Sequence, residues 1–115
     1  MLIRNLIGPK SRDFTIHVSD PVTYEQDWVC EYWTDGWGTG LKRRAFGVDP
    51  IQAVILALTY LATNLYASDD FKRGEITWGH GQDRFDLGLP VADTIRRDVA
   101  HTIRRLKLQF REDEF

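Results

Sequence analysis

The pattern of apolar and polar positions marks out the elements of this chain one after another. Leu2, Ile3, Leu6 and Ile7 form a short apolar run that suits a strand or a turn of helix equally well, and Gly8-Pro9 ends it. Asp13 to Ser19 alternates, with Phe14, Ile16 and Val18 on one side and Thr15, His17 and Ser19 on the other. That is the signature of a half-buried strand, and Asp20-Pro21 breaks it. Trp28 to Trp33 is a second strand, rich in aromatic and β-branched residues, with large apolar groups on both faces. The glycine-rich turn from Asp35 to Gly40 leads to a third strand over Lys42 to Phe46. Short connections between three strands predict an antiparallel meander.

Gly47 to Leu65 carries the strongest signal. Asp49 is placed to cap a helix, Pro50 stands at its first position, and Gln52 completes a capping box. Ile51, Val54, Ile55, Leu58, Leu61, Ala62 and Leu65 recur at helical spacing and predict its buried face. Further on, Glu75 to Trp78 and Arg84 to Leu87 predict a hairpin looped through Gly79 to Asp83. Asp93 to Phe110 predicts a second helix with a narrow seam of Ile95, Val99, Ile103, Leu106 and Phe110, flanked by arginines. Glu112, Asp113 and Glu114 make an acidic end that is expected to fray. The order three strands, helix, two strands, helix predicts an α+β fold, with a mostly antiparallel sheet of about five strands and both helices on one face. A length of 115 residues fits a single domain over residues 1–115.

Trp28 and Cys30 in a strand, a glycine-bearing turn and a basic strand lead to Gly47-Val48-Asp49-Pro50-Ile51-Gln52-Ala53, which opens an alanine- and leucine-rich helix. This stretch resembles a family of small bacterial proteins known as a domain of unknown function. Trp78 and Leu87-Gly88-Leu89-Pro90 echo the later part of that family's pattern, so the resemblance spans the middle of the chain. It implies a small bacterial cytoplasmic protein and supplies no catalytic residue.

Composition narrows the function classes. Charged residues are 28% and the formal net charge is −2, which argues against bulk attraction to nucleic acid or to an acidic membrane. The apolar run of the first helix is about a dozen residues, short of the roughly 20 that span a bilayer. A lone cysteine, Cys30, permits no internal disulfide and suits a reducing cytoplasm. The first residues lack signal-peptide architecture.

Candidate chemistry is sparse. His17, His80 and His101 lack partners at metal-ligand spacing, so no metal or cofactor is expected. His80, between two glycines and near Asp83, is the one histidine with the setting of a general base, but no nucleophile accompanies it. Gly36, Gly38 and Gly40 follow no dinucleotide or phosphate-loop pattern. Cys30 in mid-strand reads as a small hydrophobe. Two features point to binding instead. Trp33 and Trp37 flank the glycine-rich turn, and exposed aromatics favour interfaces. Arg97, Arg104 and Arg105 flank the seam of the second helix. The expectation is therefore a non-enzymatic module that binds a protein partner, with a homodimer as one form of it, because the first helix is apolar nearly all round. A nucleic-acid module using the basic helix and a small enzyme centred on His80 are the alternatives.

Overall fold

The computed structural model describes residues 1–111, so the acidic end predicted to fray lies outside the described residues. Five strands precede the first helix: β1 (Leu2–Ile7), β2 (Asp13–Val18), β3 (Val22–Tyr24), β4 (Asp27–Asp35) and β5 (Arg43–Gly47). They form one antiparallel sheet in which β1 pairs β2, β2 pairs β4 and β4 pairs β5. The short β3 pairs the first residues of β4, Val22 standing opposite Val29. Thus β2 and β3 are successive partners of β4, interrupted at Asp20-Pro21. At the interruption the Glu31 N–H donates to Ser19 Oγ at 2.8 Å and the Ser19 N–H to Glu31 O at 2.8 Å, which keeps the two strands in register.

Strand pairing fixes which side chains share a face. Leu6 stands opposite Phe14, Val18 opposite Tyr32 and Cys30 opposite Ala45, and all six are buried on the inner face. The outer face carries Ile3, His17, Val29, Trp33 and Phe46, a set fixed by pairs such as His17 with Trp33 and Val29 with Phe46. The apolar run at Leu2–Ile7 is therefore a strand, and it lies at the sheet's edge.

Helix α1 (Pro50–Tyr66) covers the inner face. Its start is as expected: Asp49 accepts from the Gln52 N–H at 2.8 Å, while Gln52 Oε1 accepts from the Val48 N–H at 2.7 Å. Its buried face is the expected one at Leu61, Ala62 and Leu65 and differs from it over the first half of the helix. Ala53, Ala57, Leu61, Ala62, Leu65 and Tyr66 are buried, whereas Ile51 and Ile55 are exposed and Val54 and Leu58 half-buried. The reason is distance. A Cβ on Gly47 would sit 2.4 Å from the Ala53 nitrogen, so helix and strand touch backbone to backbone. Only alanine fits at this approach, and Ile51 and Ile55 turn outward, while Leu61, Leu65 and Tyr66 further along the helix stay buried.

A four-residue helix α2 (Asp69–Lys72) follows, capped by Ser68 and plugged into the core by Phe71. The predicted hairpin over residues 75–87 does not form. Thr77 makes one isolated bridge to Ile7, extending the β1 edge by one residue. One bond crosses between the expected arms, the Trp78 N–H donating to Arg84 O at 2.8 Å; beyond it the Arg84 N–H donates to Gly81 O and the Asp86 N–H to Asp83 O, so the backbone closes local turns and no ladder extends. The buried Ile76, Phe85 and Leu87 act as separate plugs. The fifth strand is β3, which the Asp20-Pro21 break concealed. Helix α3 (Arg96–Gln109) begins after a short 3-10 turn at Asp93–Ile95 and adds Val99 and Leu106 to the same core. The α+β class, the antiparallel sheet and the placement of both helices with the core on one side agree with the sequence pattern.

The burial pattern over the first half of α1 is testable by urea denaturation. Ala57→Leu should cost about 1–3 kcal/mol through overpacking, and Ile55→Ala should stay within about 1 kcal/mol as surface changes do. Equal losses would return the buried face to the branched side chains.

Candidate docking surface

The outward turn of α1 leaves a stripe of apolar side chains in solvent. Val48 is 75% exposed, Ile51 70% and Ile55 49%. Ile51, Ile55 and Leu58 recur at spacings of four and three, the spacing of a helix-pairing seam. Scattered exposed hydrophobes need no explanation, but a row of branched side chains along one helix marks an interaction site.

At Leu58 the stripe runs into a cleft of about 240 Å³ between α1, the edge of the sheet and the segment 88–90. Leu2, Ile16, Val18, Leu58, Leu89 and Pro90 supply its apolar lining, and Arg4 its one charge. Arg4 sits on the inner side of β1 because it pairs with Ile16. Its Nη1 donates to Leu87 O at 2.6 Å and to Gly88 O at 3.5 Å, and its guanidinium lies 3.9 Å from the centre of the Trp78 ring. Among the described residues no carboxylate pairs with it. Gly88 permits the arrangement: its φ of 64° is left-handed, and a Cβ there would lie 2.4 Å from the Trp78 ring. Behind this wall the Leu87 N–H donates to the Tyr66 hydroxyl at 2.9 Å. Burial pushes the Tyr66 pKa up to about 12, and the Leu87 N–H only partly offsets it.

The residues expected to form an interaction surface are dispersed. Trp37 is a core contact. Its indole N–H donates to Asp70 Oδ2 at 2.8 Å and its ring lies 5.6 Å from Phe14. Trp33 is on the opposite, outer face, stacked on His17 at 4.9 Å with Lys42 Nζ 4.6 Å from its ring centre. His17 Nε2 bonds Thr15 Oγ1 at 2.8 Å, while its Nδ1 is buried without a partner. Nearby, Tyr24 and Phe46 meet edge to face, with Arg44 over Tyr24. Arg97 and Arg104 are exposed on α3. Arg105 is tied down, donating to Lys72 O at 2.7 Å and to Gln109 Oε1 at 3.1 Å, and so pins α3 to the end of α2. These side chains occupy two faces of the sheet and a helix, and make no single patch.

The catalytic alternative fares no better as an assembly. His80 is exposed at the rim of an open, polar hollow of about 400 Å³ that also touches Ser11, Asp13 and Glu75, and among the described residues it has no hydrogen-bond partner to orient it. No group of three or more His, Cys, Asp or Glu gathers at metal-binding range among the described residues. Cys30 is fully buried, and that burial, with the charge of Asp20 second, raises its thiol pKa, away from a reactive thiolate. No helix is long and apolar enough to cross a membrane among the described residues.

The α1 stripe and the cleft went unread in the sequence because both consist of residues assigned to the core. Their available signal was the alanine face of α1: Ala53 beside the glycine at position 47 fits a close approach, which leaves neighbouring branched residues to face outward.

The class is thus a small α+β domain: one antiparallel meander, one helix laid tightly across it, and an apolar surface left open beside that helix. The chain belongs to the family described as a domain of unknown function (DUF6968), which matches residues 4–91. The match takes in the sheet, α1, α2 and most of the cleft, and ends before α3. Neither the curated proteins nor the solved structures contain a match to the chain.

Two checks follow from this geometry. Arg104→Gln should alter stability by no more than about 0.5 kcal/mol, and Arg105→Gln by clearly more, since it frees the Lys72 carbonyl. Equal effects in denaturation would remove the pinning role. For Tyr66, the folded pKa stands above the ordinary value of about 10. Its contribution is complete below that value and is lost as pH rises from about 10 towards 12. Stability measured against pH should fall across that window, and Tyr66→Phe should flatten the fall. An unchanged profile in the variant would assign the loss to other groups.

Proposed function

We propose that this domain is a non-enzymatic protein-binding module that docks through the Ile51–Ile55–Leu58 stripe of α1, with a second copy of the chain as its first partner. The observation that supports this reading is the stripe itself: branched apolar side chains in a row on the helix that anchors the fold, at seam spacing, with Ile51 and Ile55 in solvent and Leu58 half-buried at their end. Burying such surface is worth roughly 25 cal/mol per Å². A row with no charge in it is self-complementary, and two copies of α1 set antiparallel about a two-fold axis bury both rows at once. The stripe lies on the rigid central helix, so little ordering accompanies docking. The single free and buried cysteine suits a reducing cytoplasmic setting.

The nucleic-acid alternative rests on α3, where Arg97 and Arg104 remain exposed while Arg105 serves the fold. With a net charge of −2 the chain lacks the overall basic balance typical of such domains.

The test is a paired Ile51→Asp, Ile55→Asp variant. Both positions are exposed, so the fold should survive by circular dichroism and denaturation. Light scattering at high micromolar concentration should give a dimer for the parent and a monomer for the variant. A monomeric parent, or a variant that remains dimeric, would reject this stripe as the self-association surface. Binding of RNA or DNA that weakens steeply with salt would favour α3 instead.

A further inference from the structure

We propose that the cleft at Arg4 is a binding site for a free aliphatic monocarboxylic acid, its chain in the apolar cleft and its carboxylate on the guanidinium. This site is separate from the α1 docking stripe and does not rest on it, although Leu58 borders both.

Charge is the first ground. Arg4 is a half-buried cation in an otherwise apolar cleft, without a carboxylate partner among the described residues. Both of its hydrogen bonds leave from Nη1, to the carbonyls of Leu87 and Gly88. The Nε–H and the two Nη2–H groups make no hydrogen bond among the described residues. That edge of the guanidinium is the fork that takes a carboxylate with two parallel bonds. The Leu87 and Gly88 carbonyls and the Trp78 ring hold the fork in place beforehand, which lowers the ordering cost of binding.

Size and lining are the second ground. A half-open cleft of about 240 Å³ has room for an alkyl chain of several carbons. Leu2, Ile16, Val18, Leu58, Leu89 and Pro90 offer that chain no hydrogen bond. An apolar lining with one placed polar group is the usual composition of a small-molecule site. The volume suits a single short chain.

The probes are sodium octanoate, 1-octanol and sodium acetate, titrated into the intact protein and followed by amide and indole NMR. Octanoate should saturate, with shifts at Leu58, Gly88, Leu89 and the Trp78 indole. Octanol lacks the charge and acetate the chain, so each should bind at least about tenfold more weakly, the range expected for losing a hydrogen bond to a charged group. Arg4→Gln should weaken octanoate by a similar factor, and Leu58→Phe, which fills the cleft, should abolish the shifts. If Arg4→Gln fails to fold, the octanol comparison on the parent protein and the Leu58→Phe variant decide the matter. The Ile51→Asp, Ile55→Asp variant should still bind octanoate, which separates this site from the docking stripe. Octanol binding as tightly as octanoate would overturn the role of Arg4. Absence of saturation, or tighter binding of a short peptide ending in leucine, would overturn the ligand class.

Discussion

The contact between Gly47 and the first turns of α1 governs the rest of the structure. Helices resting on sheets through leucine or isoleucine stand off by the length of those side chains. Here the strand offers a glycine and the helix Ala53, and a Cβ at Gly47 would overlap the helix backbone. The helix lies on β4 and β5, and over its first half the alanines Ala53 and Ala57 are the fully buried residues. One consequence is dense packing, the other is exposure. A helix carries its side chains all round, so a face given to alanine sends branched residues elsewhere. The stripe at Ile51 and Ile55 is thus the geometric remainder of this close contact.

The side chains around the cleft show a second constraint, which is how an irregular segment is held without a ladder. From Glu75 to Val91 the chain has no strand partner beyond the single bridge at Thr77. It is fixed by plugs and by side-chain hydrogen bonds. Ile76, Phe85 and Leu87 fill the core, Tyr66 takes the Leu87 N–H, and Arg4 takes the Leu87 carbonyl. Leu87 therefore has both backbone groups satisfied by side chains from distant parts of the chain, as a buried polar backbone requires. The same Arg4 that performs this structural task leaves part of its fork directed to no protein acceptor, so support and recognition meet in one residue.

The aromatic residues divide along similar lines. Trp37 belongs to the glycine-rich turn in sequence, but its N–H ties that turn to Asp70 after α1 and makes it part of the scaffold. Trp33 stands four residues earlier on the other face of β4, with His17 and Lys42. Sequence proximity to one turn gave the two tryptophans a common appearance. Alternation alone would put residues four apart on one face, and it is the turn that leaves β4 after Asp35, through Gly36 with its φ of 94°, that separated them.

Local chemistry along the chain determined the elements whose information is local. The alternation at Asp13 to Ser19, the aromatic strand at Trp28 and the capping residues Asp49, Pro50 and Gln52 specify β2, β4 and the start of α1, because propensity, pleat and caps act over a few neighbours. The seam of α3 was legible for the same reason, and so was the α+β class. Three things required the tertiary structure. The hairpin expected from Glu75 to Leu87 gave way to turns, since its apolar residues were needed as plugs in a core built by other elements. The direction of α1's burial depended on the distance to Gly47, which no periodicity in a helix contains. The cleft brings together residues from β1, β2, α1 and the segment 88–90. Arg4 gains meaning only opposite Leu87, 83 positions away along the chain, because a site made of long-range neighbours exists only once the chain has closed on itself.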